Sequence, residues 1–146
     1  MVEWYSNEIW GKRLEDDDLL FEVMSLQVFQ AGLTWRLIIS RRDALRRAFL
    51  GWRIDDVAGM GPNGVDRLLQ DASIIRNRRK IEACIANAGT IQGIRREHGS
   101  FCHWFYDVME GDDLAGLQKT LRKTFKFIGP EIARMWLMAS GRIPPG

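Results

Sequence analysis

Apolar residues recur at spacings of three and four along most of the chain, which is the repeat of an α-helix. No run of four or more residues shows the strict alternation of a half-buried strand, so the pattern predicts an all-α fold. The segment from about Asp17 to Gln30 is apolar on almost every side, and we expect it to be the central buried helix. Asp16 supplies its N-cap, and Gly32 is placed to end it.

The other predicted helices begin at residues that favour helix starts. Thr34 can cap a helix that runs from Trp35 to about Leu50, and Asn77 can cap a longer helix from residue 78. We interpret Gly61-Pro62-Asn63-Gly64 as a turn before a short helix over about 65–70. Two more helices are expected from residue 114 and from residue 130, where proline favours the first helical position. The solvent side of the helix over 35–50 is predicted to carry Arg36, Arg42, Arg46 and Arg47.

Two glutamines interrupt the apolar surface of the central helix. Gln27 and Gln30 are three positions apart and therefore share a face. A buried amide without hydrogen-bond partners costs about 1–3 kcal/mol. Both positions are therefore candidates for a polar site.

The length of 146 residues fits one domain over 1–146, and a chain of this size buries about 68–70% of its unfolded surface. Hydrophobic residues make up 46% and charged residues 27%, which is ordinary globular composition and argues against disorder. Six tryptophans are many for so short a chain. Large rings serve either as core mass or as stacking platforms for flat ligands.

The two cysteines exclude a disulfide framework. Cys84 and Cys102 lie outside any Cys-x-x-Cys pair, and we interpret both as reduced. No apolar run approaches the roughly 20 residues that a membrane span needs. The start, Met1-Val2-Glu3-Trp4, lacks the basic-then-apolar pattern of a secretory signal. These features predict a cytoplasmic protein.

The net charge of +2 is small, but positive charge is concentrated in three segments. Residues 35–53 carry +5, residues 76–98 carry +4 and residues 114–146 carry +5. A fold that brings these segments to one side would present a basic face suited to phosphates. Alternating solvated helix faces are the other interpretation.

A predicted helical hairpin carries four cations near the start of its second helix. Arg76, Arg78, Arg79 and Lys80 lie beside the free backbone N–H groups and the positive end of the helix dipole, which suits phosphate binding. The pattern resembles a helix-hairpin-helix DNA clamp, although the turn over 71–75 lacks the usual glycines. An ordinary helical hairpin is the alternative on this feature alone.

Four blocks of sequence together make a more specific pattern. They are Tyr5–Gly11, Leu26–Trp35, Leu68–Ile81 and Phe125–Pro130. In order and spacing they resemble the type I DNA-3-methyladenine glycosylase family, and the resemblance covers nearly the whole chain. It implies a compact single-domain helical bundle with a helix-hairpin-helix element. It also implies a base-excision repair enzyme that flips a damaged purine out of the duplex and hydrolyses its glycosidic bond.

The resemblance further implies a base-binding pocket. Tyr5 and Trp35 would sandwich the extruded base, and a different register of the first block, with Ile9 inserted, would give Trp4 the place of Tyr5. The alternative is that these rings are simply core. Leu33 would push toward the gap left by the flipped nucleotide. The alternative is that Leu33 only makes an apolar contact that joins two helices. Because 3-methyladenine is cationic and a good leaving group, such a site needs no strong nucleophile.

Gln27 stands where the family carries a glutamate that hydrogen-bonds to the edge of the base. An amide still donates and accepts, but it lacks a carboxylate's attraction for a cation, about 1–4 kcal/mol at 4 Å for effective dielectrics of 80 to 20. We therefore expect weaker activity or a different lesion preference. Glu8 and Asp71 are acidic candidates, but nothing marks either as a general acid or base, so the catalytic residues are left unassigned.

The family typically holds a zinc ion through an early Cys, a His in the first block, and a His and a Cys near the C-terminus. Here Ser6 stands where the His is expected, and the chain as given starts after the first Cys position and ends before the last two ligands. His98 and His103 with Cys102 make a poor tetrahedral set. We therefore expect no zinc and no other cofactor.

Three functional hypotheses follow. The first is a monomeric glycosylase that acts on double-stranded DNA containing an alkylated purine. The second is a DNA or damaged-base binding module of the same fold without glycosylase activity, which the neutral side chain at Gln27 favours. The third is a helical interaction domain without a nucleic-acid partner, whose binding to DNA would not fall steeply with added salt.

Overall fold

The computed structural model describes residues 4–144, and all regular secondary structure in this range is helical, which confirms the predicted all-α class. Short π-helical turns occur at Tyr5–Ile9 and Trp104–Val108, and a 3-10 turn occurs at Leu50–Trp52. Residues 4–144 form nine α-helices: α1 Asp17–Gln30, α2 Trp35–Ser40, α3 Arg42–Ala48, α4 Ile54–Ala58, α5 Gly61–Leu69, α6 Arg78–His98, α7 Phe101–His103, α8 Leu114–Thr124 and α9 Pro130–Ala139.

Helix α1 is the centre of the molecule, as its apolar composition predicts. Every residue from Leu20 to Phe29 is buried, and α2, α4, α6 and α9 pack around the helix. The Asp16 carboxylate accepts hydrogen bonds from the backbone N–H groups of Asp18 (2.9 Å) and Leu19 (3.3 Å), so the predicted N-cap is confirmed. Since α1 is surrounded, a polar side chain on it reaches solvent only where the surrounding helices leave a gap.

The single helix predicted over 35–50 is wrong, because the chain breaks it at Arg41. Ser40 Oγ donates to the carbonyl of Leu37 at 2.6 Å, a local bond that competes with the helical ladder. Gly51 then takes a left-handed conformation with φ 74°. The resulting turn brings Trp52 into the core, where its ring stacks on Phe49 with 4.4 Å between the centroids.

The turn predicted at Gly61-Pro62-Asn63-Gly64 is instead the first turn of α5. Proline is tolerated there because the first N–H groups of a helix have no intrahelical partner. A Cβ at Gly64 would lie 2.7 Å from Met60 Cβ, so glycine at this position lets Met60, the residue before α5, approach the helix closely. The sequence interpretation also missed α4, whose five residues are too few to show a helical repeat.

The predicted helix-hairpin-helix element is present as α5, the hairpin over 70–77 and α6. Asn77 caps α6, its Oδ1 accepting from the N–H of Lys80 at 3.1 Å. The hairpin lacks glycines and is ordered by a side chain instead, because Asp71 Oδ1 accepts from the N–H of Ser73 at 2.9 Å and from its hydroxyl. Among residues 4–144, no helix is both long and apolar enough to cross a membrane.

Asp17 joins the start of α1 to the far end of α6 and to α7. Its carboxylate accepts from the backbone N–H groups of Phe101 (3.0 Å) and Cys102 (2.9 Å) and from Arg95 Nε (3.0 Å). Burial alone would raise the pKa of Asp17, but these hydrogen bonds outweigh it and the pKa is lowered. The charged form of Asp17 therefore stabilises the fold.

We expect Asp17→Asn to lower the free energy of unfolding by about 2 kcal/mol at neutral pH, because bonds to a charged acceptor become neutral ones. A lowered folded pKa gives stability that is present above the unfolded pKa, about 3.9, and is lost as pH falls below it. The difference between wild type and variant should therefore shrink below about pH 4. Urea unfolding measures this, with exposed Asp112→Asn as the control. Equal losses in the two variants would contradict this role for Asp17.

Candidate functional site

A cleft of about 430 Å³ opens between the N-terminal π-helical turn, α1, α2 and α9. Aromatic rings form most of its wall, and two amides from α1 contribute its polar groups. The lining residues are Tyr5, Ser6, Trp10, Gln27, Gln30, Trp35 and Met135. This volume and this mixture of flat apolar walls with few polar groups are typical of sites for small planar ligands.

The π-helical turn brings two aromatic residues to the same cleft. The N–H of Trp10 donates to the carbonyl of Tyr5 at 2.8 Å, so residues five apart stand one turn from each other. Their ring centroids are 6.1 Å apart. Trp10 was not predicted as a site residue, because a 3.6-residue repeat does not place it beside Tyr5. Met135 was also missed, since its spacing on α9 fits an ordinary core position.

Gln27 and Tyr5 are hydrogen-bonded at the inner end of the cleft. Gln27 is 2% exposed, and its Nε2 donates to the Tyr5 hydroxyl at 2.9 Å. Burial raises the pKa of the Tyr5 phenol, and the bond from Gln27 offsets this only in part, so the phenol is neutral at physiological pH. Within residues 4–144 the Gln27 side-chain carbonyl accepts no hydrogen bond. A free acceptor therefore lies at the inner end of an aromatic cleft.

The ring of Trp35 contacts that of Tyr5 directly, edge to face, with 4.6 Å between the centroids and 61° between the planes. A purine stacked between two rings needs about 3.5 Å on each side, or about 7 Å in all. In this arrangement the two rings leave no space for a base between them, and the binding of a base by either ring stays a prediction. The two rings form one continuous wall, with Tyr5 fixing the orientation of Trp35.

Trp4, the alternative to Tyr5 in the sequence interpretation, does not line the cleft in the described part of the chain. The guanidinium of Arg42 lies over its ring, 3.5 Å from the centroid, which is cation–π geometry. The structure thus places Tyr5 rather than Trp4 in the lining of the cleft, and the base-binding role of either residue stays a prediction. Trp4 instead anchors the N-terminal turn to α3.

A buried carboxylate supports this anchor. Glu22 is 1% exposed, with Arg46 Nη2 at 3.0 Å from one oxygen and Arg42 Nε at 3.9 Å from the other. Burial raises the pKa of Glu22, and the two cations offset this only in part. Arg46 is exposed, as predicted, and also pairs with Glu22, whereas the Arg42 side chain is only 12% exposed and the prediction that it faces solvent is wrong. The sequence signal for this buried ion pair was Glu22 itself, a single acidic residue within the apolar run of α1.

Gln30 fixes the link between α1 and α2. Its Nε2 donates to the backbone carbonyl of Leu33 at 2.9 Å, and Leu33 is partly buried. Thr34 then caps α2, its Oγ1 accepting from the N–H of Leu37 at 3.2 Å. The geometry holds Leu33 beside the cleft, and its function there stays a prediction.

The hairpin cations divide into two groups. Arg76, Arg78 and Arg79 are exposed, with Arg78 near Asp66 (3.5 Å) and Glu82 (3.7 Å). Lys80 is only 4% exposed. Its Nζ donates to the carbonyls of Phe29 (2.7 Å) and Ala31 (2.6 Å), which lie at the C-terminal end of α1. The assignment of Lys80 as a DNA contact is therefore corrected: it caps α1 and joins it to the hairpin.

Comparison with known proteins identifies the family. Residues 1–121 match the model of the family described as methyladenine glycosylase. The chain belongs to the methyladenine glycosylase family. It is 31% identical to DNA-3-methyladenine glycosylase 1 of Escherichia coli (strain K12) over 160 residues, spanning 97% of this chain and 85% of that protein.

Solved structures that resemble this chain belong to the same family. The 3-methyladenine DNA glycosylase I from Staphylococcus aureus, solved to explain 3-methyladenine recognition, superposes with a TM-score of 0.84 at 28% identity, covering 95% of this chain and 84% of that one. A mutant of the S. aureus enzyme that carries glutamine in place of a glutamate has the same TM-score at 29% identity, covering 94% and 84%. The fold expected from the resemblance is thereby confirmed.

The described residues of this chain show no cluster of metal ligands, and the expected absence of zinc stays a prediction. Ser6 lines the cleft where the resemblance expects a histidine, and among residues 4–144 no group of three His, Cys, Asp or Glu side chains is placed to hold a metal ion. The cleft lining, in the described range, also contains no carboxylate. Glu8 is exposed elsewhere, and Asp71 is engaged in the hairpin turn.

Proposed function

We propose that this chain is a DNA repair glycosylase that takes an alkylated purine such as 3-methyladenine out of duplex DNA and hydrolyses its N-glycosidic bond. The observation that carries the proposal is the aromatic cleft with the unpartnered Gln27 carbonyl at its inner end. A flat purine fills such a space, and an amino group on its edge can donate to this carbonyl. The expected protein is a cytoplasmic monomer.

The base enters beside the Tyr5–Trp35 wall rather than between its rings. There the base loses its contact with water and gains contact with the aromatic rings and with the fixed amide of Gln27. Alkylation gives the base a positive charge, which makes it a good leaving group, so holding and desolvating it supplies much of the acceleration. Since the described lining offers no carboxylate, we assign no general base, and water attacks the sugar as the base departs.

The proposal assigns DNA contacts to one apolar residue and to the cations of the hairpin. Leu33, held by Gln30, enters the gap that the flipped nucleotide leaves. Arg76, Arg78 and Arg79, at the start of α6, bind phosphates near the lesion. Phosphate binding of this kind makes affinity fall steeply with added salt.

One observation favours a second function, a damaged-base binding module without glycosylase activity. Gln27 and the neutral Tyr5 phenol put no negative charge beside the base. The deciding experiment incubates the protein with duplex DNA that contains 3-methyladenine and identifies the released base by chromatography. Release of free 3-methyladenine above the spontaneous rate supports the glycosylase, whereas tight binding without release supports the binding module.

Trp35→Ala is expected to slow base release about tenfold, since stacking on an aromatic ring is worth about 1–3 kcal/mol and Tyr5 and Trp10 remain. The single-turnover rate of 3-methyladenine release from duplex DNA measures this. Trp35→Phe keeps a flat ring and should retain most of the activity. Thermal unfolding of both variants checks that the fold is intact. Equal rates for wild type and Trp35→Ala would remove Trp35 from the site.

A further inference from the structure

A trough of exposed cations runs along the face formed by α8, the start of α6 and the loop before α9. Three adjoining grooves, of about 480, 410 and 400 Å³, make it up. Arg122 lines two of them, and Arg79 and Phe127 line another two, so neighbouring grooves share lining residues. The third positive segment of the sequence, residues 114–146, supplies most of this charge.

The cations of the trough are not neutralised within the protein. Within residues 4–144, Arg79, Lys119, Arg122, Lys123 and Lys126 are all exposed, and none lies within ion-pair distance of a carboxylate. Elsewhere in the described residues some arginines are paired, as Arg13 is with Glu15 at 2.8 Å and Arg134 with Glu131 at 2.7 Å. Positive charge left unpaired on one face attracts a polyanion.

The α8 cations share one side of their helix, because Lys119, Arg122 and Lys123 follow the spacing of three and four. The backbone of the next cation, Lys126, is held by Asn87. Fully buried Asn87 donates to its carbonyl at 3.1 Å and accepts from its N–H at 2.7 Å. The backbone at this end of the trough is therefore fixed, and its cationic side chains are exposed to solvent.

The trough leads to the cleft. Ile132 lines the trough and Met135 lines the cleft, and the two are three positions apart on one side of α9. The axial rise between them is about 4.5 Å. At its other side the trough includes Arg79, one residue before the lysine that caps α1. An extended polyanion with one nucleotide in the cleft would thus continue into the trough.

We propose that this trough binds the phosphate backbone of duplex DNA flanking the lesion, through Lys119, Arg122, Lys123 and Lys126. The inference rests on the proposed function, since it takes the cleft as the position of the flipped nucleotide. It adds a second backbone contact to that of the hairpin. Because phosphate contacts carry no sequence information, the trough also binds undamaged duplex DNA.

The test is binding of an undamaged 20-base-pair duplex between 50 and 200 mM salt, measured by fluorescence anisotropy. Arg122→Gln/Lys126→Gln should weaken binding about tenfold and lower the slope of log K against log salt by about 1.8, at about 0.9 for each phosphate that is no longer neutralised. The matched control is Arg53→Gln/Arg96→Gln, which removes the same charge. Arg53 and Arg96 lie near the far end of α6, whose 17-residue rise from Arg79 to Arg96 is about 25 Å.

The outcomes distinguish failure of the trough proposal from failure of the proposed glycosylase activity. A trough variant that binds DNA like the control, with an unchanged salt slope, overturns the trough whether or not wild type releases 3-methyladenine. A trough variant that binds more weakly than the control, in a protein that releases no base, supports the trough and refutes the glycosylase. Thermal unfolding of both double variants should match wild type, since all four side chains are exposed.

Discussion

Replacing Gln27 with glutamate is expected to raise the rate of 3-methyladenine release about 30-fold, equivalent to about 2 kcal/mol. The gain comes from the attraction between a carboxylate and a cationic base. Against it stands the cost of burying a charge at a position only 2% exposed. The Tyr5 hydroxyl, now an acceptor from Gln27, can turn to donate to the new carboxylate and offset part of that cost.

The pH dependence separates charge from shape in this variant. Burial will raise the pKa of a glutamate at position 27 above its usual value of about 4.3, so the gain is lost as pH falls through that raised pKa. Wild type has no carboxylate among the described lining residues and a neutral Tyr5, so its rate should lack this dependence. Asn63→Asp is the control, because it adds the same charge at an exposed position that does not line the cleft. A wild type as fast as Gln27→Glu would refute this role for the amide.

Local sequence signals predicted the parts of the fold that local chemistry determines. Asp16, Thr34 and Asn77 each cap the helix that follows, because a short polar side chain there satisfies free N–H groups whatever packs nearby. The central position of α1 followed from a helix with no polar face. The break at Arg41 (φ −100°, ψ 3°) could not be predicted, since no glycine or proline marks it and the helical repeat continues past it.

The cleft was predicted in its residues but not in its geometry. Tyr5, Gln27 and Trp35 do come together, but Trp10 joins them through a π-helical turn that no simple periodicity reveals. Lys80 shows the same limit. Its charge suggested phosphate, but three-dimensional proximity to the carbonyls of Phe29 and Ala31 gives it a structural role. Which partner a charged side chain finds is a tertiary property.

Glu22→Ala is expected to lower the free energy of unfolding by about 3 kcal/mol, because removing one partner of a buried ion pair leaves the other charge uncompensated. The Arg42 side chain is only 12% exposed and would keep its charge beside the Trp4 ring. Arg46 is 46% exposed and can return to water, which keeps the cost at the low end of the range. Urea unfolding measures the loss. Arg47→Ala, on an exposed neighbour, should change stability by less than about 0.5 kcal/mol.

Glu22→Gln tests the charge alone. Because the folded pKa of Glu22 is raised, its protonation stabilises the fold below the unfolded pKa, about 4.3, and this contribution is lost as pH rises through the folded pKa. Wild type should therefore lose stability relative to Glu22→Gln as pH increases over that range. A wild type that instead gained stability relative to Glu22→Gln with rising pH would mean that the two arginines outweigh burial and that the pKa of Glu22 is lowered.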